Sequence, residues 1–277
     1  VAMTNGTVAL EIATRALGLS GEVIVPSYTF VATAHALSWQ GIRPVFADID
    51  ERTHTLDPEA VRRMITPRTS GIVGVHLWGR PAEVEALQQI ADASGLELLF
   101  DAAHAFGSAH QGKRIGAFGR AEVFSFHATK FLNSFEGGAV ATNDADLAEK
   151  MRLMRNFGFG GLDRVIYPGT NGKMSEICAA MGLVNLDAIG TFIKANRDNH
   201  HAYKAVAEDH TGLRLLEPFR GDESNFQYVV VELQEQDPQL RLAVAAPCEV
   251  TDLARTLGRQ RAQGQDLLPE LHLESRR

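Results

Sequence analysis

This sequence has few cysteines, and it contains neither an apolar run of membrane-spanning length nor a stripe of basic residues. The two cysteines, Cys178 and Cys248, have neither metal-ligand nor redox spacing, so no disulfide framework is indicated. No apolar run approaches the roughly 20 residues of a membrane span, and no basic-then-apolar leader opens the chain. The net charge of −7 argues against a nucleic-acid partner, because a row of phosphates could not be neutralised. We therefore expect a cytoplasmic globular protein without nucleic-acid or membrane partners.

The chain instead contains short apolar runs that alternate with stretches of helical periodicity. Hydrophobic residues make up 45% of its 277 residues, which is ample for a core. Apolar runs typical of buried strands occupy residues 22–26, 44–50, 71–77, 96–100 and 123–126. The alternation predicts an α/β fold, with a mostly parallel sheet and helices on both of its faces. Functional residues are then expected at the carboxyl ends of the strands.

Lys130 stands in a turn that follows the last of these runs. The segment reads Ser125-Phe126-His127-Ala128-Thr129-Lys130, and Glu136-Gly137-Gly138 follows before another strand. A lysine amine with its ordinary pKa of about 10.4 is a poor nucleophile at neutral pH. In a partly dry cleft that pKa falls, and the amine can form a Schiff base with a carbonyl cofactor. A solvated turn lysine is the alternative, but the adjacent hydroxyls and the glycines that permit a tight return favour the chemical role.

The segment from Ser125 to Ala139 resembles the cofactor-lysine segment of the pyridoxal-phosphate-dependent sugar aminotransferases, the DegT, DnrJ, EryC1 and StrS family. The resemblance extends from Thr4 to about Glu232, through several motifs in the same order. It implies the aspartate-aminotransferase-like fold, known as fold type I, with pyridoxal 5′-phosphate as the cofactor. By the same resemblance, Lys130 is the catalytic Schiff-base lysine and Ser125 bonds the cofactor phosphate.

The motif Thr4-Asn5-Gly6-Thr7 precedes a stretch whose apolar residues have helical spacing, so a helix is expected to begin there. The free N–H groups and the positive dipole end of a helix N-terminus bind phosphate well. An ordinary N-cap is the alternative from the local sequence alone. The resemblance implies that Gly6 and Thr7 hold the cofactor phosphate.

Phe30 lies after a short predicted strand, in the turn that leads into a predicted helix from Val31 to Trp39. On local sequence it could simply be a core residue. The resemblance implies instead that Phe30 stacks on the pyridine ring of the cofactor, for which a flat apolar face is suited.

Asp101 follows the predicted strand 96–100, and His104 comes three residues later. Asp101 could cap a helix, since aspartate is a favourable N-cap residue. The resemblance implies that its carboxylate keeps the pyridine nitrogen protonated, so that the ring draws off electrons.

His104 stands where many relatives have a glutamine that bonds the phenolic oxygen of the cofactor. Histidine can donate the same bond, and a purely structural histidine is the alternative. The histidines lack ligand spacing, so no metal is expected.

The segment from Gly169 to Ile177 resembles a second block of the family. In that block an asparagine reaches the cofactor phosphate of the partner subunit, which implies that Asn171 is a cofactor-binding residue. Lys173 is a further candidate donor. The resemblance therefore implies a homodimer with shared active sites, and a tetramer stays open.

The resemblance also divides the chain into three parts. Residues 1–190 correspond to the large cofactor-binding domain, without the segment that precedes it in family members. Residues 191–236 correspond to part of a small C-terminal α+β domain. Residues 237–277 are rich in leucine, arginine, alanine and glutamine, and the aromatic and histidine-rich substrate loop of the family is missing from them, so an atypical tail is expected.

The activity implied by the resemblance is transfer of an amino group from an amino acid, glutamate being the expected donor, to a nucleotide-linked keto-deoxysugar. Lys130 would then act as the general base and acid of the proton shift. The 125–130 segment looks more like members that act at C4 of the sugar than at C3. Two alternatives stay open: a pyridoxal-phosphate-dependent sugar dehydratase, although such relatives lack the lysine, and a truncated, inactive paralogue that serves as a binding or structural partner.

Overall fold

The computed structural model describes residues 1–208, 213–217, 223–233 and 243–245. The chain forms two compact units. The first comprises Val1–Lys194 together with the described residues of 218–227, and the second comprises the described residues of 195–217 and 228–277. The boundaries placed at residues 190 and 236 from the sequence stay predictions. The stretch 237–277, for which an atypical tail is predicted, lies outside the described residues except for 243–245.

The first unit is built on a seven-stranded sheet. Its strands are β1 (Ala2–Met3), β2 (Glu22–Pro26), β3 (Arg43–Ala47), β4 (Thr69–Val75), β5 (Glu97–Asp101), β8 (Ala121–Ser125) and β9 (Gly138–Ala141). They lie in the order β1-β9-β8-β5-β4-β2-β3. Two short strands, β6 (Ala109–His110) and β7 (Lys113–Arg114), pair with each other in a separate sheet. Neighbouring strands from β3 to β8 are parallel, whereas β9 runs antiparallel to both β8 and β1. The predicted mostly parallel sheet is therefore confirmed.

Helices cover both faces of this sheet: α1 (Gly6–Ala16), α2 (Ala32–Ser38) and α5 (Ala145–Met154) pack on one face, and α3 (Pro58–Met64) and α4 (Val84–Ser94) pack on the other. Helices α6 (Glu176–Asp187) and α7 (Ile189–Glu208) follow along the chain. Local chemistry sets several boundaries: the Asp57 carboxylate accepts the backbone N–H groups of Glu59 and Ala60 at the start of α3, and α4 ends at Gly95, whose φ of +66° is left-handed.

Strand β5 shows how side-chain alternation divides the core. Leu99 packs with residues of α1, α2 and α5, whereas Leu98 and Phe100 pack on the opposite face with residues of α3 and α4. Because successive side chains of a strand point to opposite faces, Asp101 lies on the same face as Leu99. By the same alternation in β8, Ser125 shares this face with Val123. Asp101 and Ser125 thus meet the α1 and α2 side of the sheet.

The second unit contains a three-stranded antiparallel sheet with the order β10-β11-β12. Its strands are β10 (Leu213–Leu215), β11 (Val229–Leu233) and β12 (Ala243–Ala245), and the C-terminal part of α7 belongs to the same unit. This combination of helix and antiparallel strands agrees with the small α+β domain predicted for this end of the chain.

Within the described ranges, no single helix has both the length and the apolar character needed to cross a membrane. Helices α6 and α7 taken together reach the required length and composition, but the chain bends by 63° between them.

Candidate active site

Asp101 lies at the carboxyl end of β5 and is almost completely buried, with 5% of its surface exposed. The Thr33 hydroxyl donates to Oδ2 at 2.8 Å, and the backbone N–H of Ala103 donates to Oδ1 at 3.1 Å. Burial raises the pKa of the Asp101 carboxyl, and these two hydrogen bonds oppose that rise. Residues 102–108 are described and form no helix, so Asp101 is not a helix cap; its bond to Ala103 closes a turn.

Lys130 lies in the loop between β8 and β9 and is partly buried. Its backbone is held on both sides, because its N–H donates to the His127 carbonyl at 2.9 Å and Asn133 Nδ2 donates to its carbonyl at 3.3 Å. Burial lowers the pKa of the Lys130 amine, while the negative charge of Asp101 partly offsets this effect. An amine whose charged form is disfavoured is a better nucleophile at neutral pH. The fold therefore brings Lys130 and Asp101 together in a partly dry site.

His104 completes the group of titratable side chains around Lys130. Burial, and secondarily the nearby Lys130 charge, lowers the pKa of the His104 imidazole to about 3. The backbone N–H of Trp78 donates to His104 Nδ1 at 3.2 Å. A neutral imidazole whose Nδ1 accepts a hydrogen bond carries its proton on Nε2. His104 is thus a neutral Nε2–H donor at neutral pH.

Gly6 and Thr7 are the first residues of α1, and Gly6 lies beside Ser125. Asn5 caps this helix, with Oδ1 accepting the backbone N–H of Val8 at 2.8 Å, and the N–H groups of Gly6 and Thr7 have no acceptor inside the helix. A Cβ added at Gly6 would lie 3.0 Å from Ser125 Cβ and 3.3 Å from Ser125 Oγ. The missing side chain leaves the helix N-terminus open beside the serine hydroxyl, which is a suitable geometry for an anion.

Phe30 precedes α2 and is 69% exposed, so it is not a core residue. Its carbonyl accepts the backbone N–H of Thr33 at 3.1 Å, and Thr33 in turn contacts Asp101. The aromatic ring is therefore carried by the same turn that delivers a hydroxyl to the buried carboxylate.

The sequence profile of the DegT/DnrJ/EryC1/StrS aminotransferase family matches residues 1–248. The chain belongs to this family. Its structural relatives share the aspartate-aminotransferase-like fold, which confirms the predicted fold class.

Several curated and structurally characterised family members resemble the chain. A dTDP-4-amino-4,6-dideoxy-D-glucose transaminase of Shigella dysenteriae is 40% identical over 237 residues, which are 86% of this chain and 65% of the relative. A dTDP-3-amino-3,4,6-trideoxy-alpha-D-glucose transaminase of Streptomyces venezuelae is 42% identical over 189 residues, covering 67% of this chain and 50% of the relative. The structure of DesI in the presence of its TDP-sugar product superposes with a TM-score of 0.81 at 54% identity, covering 84% of this chain and 59% of DesI. The chain thus spans less than two thirds of the length of each of these three.

Asn171, assigned from a second block of the DegT/DnrJ/EryC1/StrS family, is exposed and forms an isolated backbone bridge with Asn156. The next carbonyl, that of Gly172, accepts the backbone N–H of Thr4 at 2.8 Å, so this segment lies beside the start of α1. Lys173 Nζ donates to Asn156 Oδ1 at 3.0 Å. The assignment of Asn171 to the phosphate of a partner subunit stays a prediction.

Two residues of this site were not predicted from the sequence. Thr33 is buried against Asp101, and Trp78 orients His104 through its backbone rather than its side chain. Trp78 adopts a left-handed φ of +57°, which is unusual for a bulky residue and is often found near functional sites. Neither residue belongs to a chemical motif, and only the packing of α2 and of the turn after β4 against β5 reveals them.

Proposed function

We propose that this chain carries the cofactor site of a nucleotide-sugar aminotransferase, which moves an amino group from glutamate to C4 of a nucleotide-linked keto-deoxysugar. The observation that carries the proposal is the convergence of a partly buried Lys130 of lowered pKa, a buried Asp101 and a neutral His104. The names of relatives support the substrate class, since they act on dTDP-linked amino sugars. Position C4 is supported by two dTDP-4-amino-4,6-dideoxy-D-glucose transaminases that match 86% and 83% of this chain, whereas the 3-amino sugar transaminase matches 67% of it. The cytoplasmic location stays a prediction from the sequence.

The residues present fit pyridoxal 5′-phosphate. The open start of α1 beside the Ser125 hydroxyl, where a Cβ on Gly6 would intrude, suits the phosphate. A buried carboxylate suits a protonated ring nitrogen, and an Nε2–H donor suits a phenolic oxygen. The amine with lowered pKa suits an aldehyde carbon. Each functional group of the cofactor therefore has a chemically matched partner in this chain.

When bound, pyridoxal phosphate supplies an electrophilic carbonyl and a ring that accepts the electron pair of the substrate carbon. Gly6, Thr7 and Ser125 would hold its phosphate, with Asn171 contributed by a partner subunit. The Phe30 ring would offer an apolar face to the pyridine ring.

Proton transfer would fall to Lys130, Asp101 and His104. Lys130 would take a proton from the substrate carbon and deliver it to the carbon that was the cofactor's carbonyl carbon. Its lowered pKa favours this role, because the free amine is more populated at neutral pH. Asp101 would keep a proton on the ring nitrogen, and His104 would donate to the phenolic oxygen.

A second copy of this chain is part of the proposal. Helix α6 has no buried residue, and its Ile177, Leu183 and Val184 are 71%, 66% and 66% exposed. Residues 159–165, which precede α6 in the sequence, form a hairpin closed by an antiparallel bridge between Phe159 and Val165, and its Leu162 is 99% exposed. Large exposed apolar patches mark protein interfaces. Because Asn171 lies between this hairpin and α6 along the chain, a homodimer would cover both surfaces and place Asn171 near the partner's site.

The decisive experiment is reduction by borohydride of the protein incubated with pyridoxal phosphate, followed by peptide mapping. We expect the cofactor to be fixed on Lys130, with no fixation in Lys130→Ala and unchanged fixation in the control Lys113→Ala, which removes an exposed lysine of β7. The protein should then aminate a dTDP-linked 4-keto-6-deoxyhexose with glutamate in preference to the 3-keto isomer. Fixation spread over surface lysines, or none at all, would contradict the proposal and favour an inactive paralogue.

A further inference from the structure

Thr33 is a buried hydroxyl that links two active-site elements. It lies on α2, is 1% exposed, and its Oγ1 is 2.8 Å from Asp101 Oδ2. On its other side, Thr29 Oγ1 is 2.9 Å away. The neighbouring Ala34 and Ala36 of α2 are also buried, so this part of the helix faces the protein interior. Thr33 is the second residue of α2, and its hydroxyl bonds across the fold to the end of β5.

The direction of these hydrogen bonds follows from the chemistry of the partners. An ionised carboxylate can only accept, so Thr33 must donate to Asp101 whenever Asp101 is charged. The Thr33 oxygen is then free to accept from the Thr29 hydroxyl. Since the other carboxylate oxygen accepts the N–H of Ala103, both oxygens of Asp101 face donors of this chain.

The titratable groups around Asp101 act in the same sense as Thr33. Lys130 and His76 both favour the carboxylate electrostatically, whereas burial disfavours it. The protonation state of Asp101 is therefore set by a balance between burial and a few donors and charges. Removal of one donor from this balance favours the neutral acid.

We propose that Thr33 is a positioning residue that keeps the Asp101 carboxylate ionised and fixes its orientation toward the cofactor ring, with Thr29 orienting the Thr33 hydroxyl. This inference rests on the proposed function for its catalytic consequence. Its physical core, a hydroxyl that controls the protonation of Asp101, concerns residues of this chain alone.

The test uses the isosteric substitution Thr33→Val, which removes the donor and retains the volume. The acid limb of the pH profile of kcat/KM should move to higher pH by on the order of one unit, because the ionised Asp101 carboxylate loses a hydrogen bond. Thr33→Ser should restore the original limb. The matched control Thr29→Val leaves the bond to Asp101 in place and should shift the limb far less.

A second readout needs neither cofactor nor activity. The free energy of unfolding is measured by urea for the unchanged chain and for Thr33→Val, from neutral pH down to the most acid pH at which both stay folded. The substitution raises the pKa of Asp101 further, so its destabilising effect should be largest at neutral pH and shrink as Asp101 becomes protonated. In an Asp101→Asn background this pH dependence should vanish.

The two readouts separate failure of this inference from failure of the proposed function. A stability loss that is the same at every pH, with an unmoved acid limb, would show that Thr33 is only a packing residue and overturn the inference. If Lys130 is not trapped by borohydride, the proposed function fails, and the pH-dependent stability still decides the link between Thr33 and Asp101.

Discussion

The carboxyl end of β5 and helix α6 differ in how far their side chains find partners within this chain. At the end of β5, Asp101 is buried and each of its carboxylate oxygens accepts a hydrogen bond. Helix α6 has apolar side chains on all sides and none of its residues is buried. The first region meets the requirement that buried polar groups be hydrogen-bonded, whereas the second leaves apolar surface for another molecule to cover.

The two regions are nevertheless connected through the Lys130 loop. Asn185 of α6 donates to the Asn133 carbonyl at 2.8 Å, and the Asn133 side chain donates to the Lys130 carbonyl. A Cβ added to Gly182 of α6 would lie only 3.3 Å from the Cβ of Ser134 in the same loop. A partner subunit that covers α6 would therefore also support the loop that carries the proposed catalytic amine.

The largest effect is expected from Asp101→Asn, which removes the buried charge and retains the shape. Transfer activity should fall on the order of 10²–10³-fold, because a preorganised charge at the reacting ring is lost. The apo-protein should be at least as stable at neutral pH. Burial raises the pKa of Asp101, so this carboxyl stabilises the fold fully only below its unfolded-state pKa and loses that contribution as the pH rises through its folded-state pKa.

Steady-state kinetics and urea unfolding at neutral pH check this prediction together. Full activity in Asp101→Asn would remove Asp101 from the mechanism. A clear loss of stability at neutral pH would show that the partners of the carboxylate outweigh the cost of its burial.

The next effect is expected from Leu183→Asp on the exposed face of α6. A carboxylate buried without a partner costs several kcal/mol, so the dimer dissociation constant should rise on the order of 10²-fold. Gln89→Asp places the same new charge on an exposed position of α4 and should leave the constant unchanged. Sedimentation equilibrium measures both variants. Equal dimerisation of the two would show that α6 is not the interface.

The smallest of the three effects is expected from Asn225→Ala. Asn225 is fully buried, and its Nδ2 donates to the carbonyls of His104 at 2.7 Å and Phe106 at 3.0 Å. Its loss leaves these two partly buried carbonyls without this donor and should lower the free energy of unfolding by about 2 kcal/mol. Amide exchange in the turn that carries His104 should accelerate.

A matched control is Asn143→Ala, which removes an exposed bond of 3.4 Å to the Ala117 carbonyl and should cost under about 0.5 kcal/mol. Equal stability of the two variants in urea would show that the His104 turn does not depend on Asn225.

Several features of the site could be predicted from local sequence alone. Lys130 follows an apolar run and stands among hydroxyls and glycines, and Asp101 ends a predicted strand. The carboxyl ends of parallel strands meet at one edge of a sheet, so their convergence follows from the alternation of strands and helices. The helix start at Gly6 could be predicted in the same way, because capping residues and apolar spacing are local signals.

Thr33, Trp78 and Asn225 could not be predicted in this way, since each acts through a contact between residues far apart in the chain. Thr33 reaches Asp101 across 68 positions, and Asn225 reaches His104 across 121. A buried threonine on a helix and a buried asparagine in a turn have no distinctive local pattern. Their partners are determined by which helix crosses which strand end.

The sequence by itself determined the α/β architecture and the family, and it predicted the amine and the carboxylate of the proposed site, because periodicity and chemical motifs are properties of neighbouring residues. Only the tertiary structure decided the electrostatics of the site. The lowered pKa of Lys130, the raised pKa of Asp101 and the neutral tautomer of His104 all arise from burial and from donors supplied by distant segments. Desolvation depends on what covers a group, and that is a property of the packed fold.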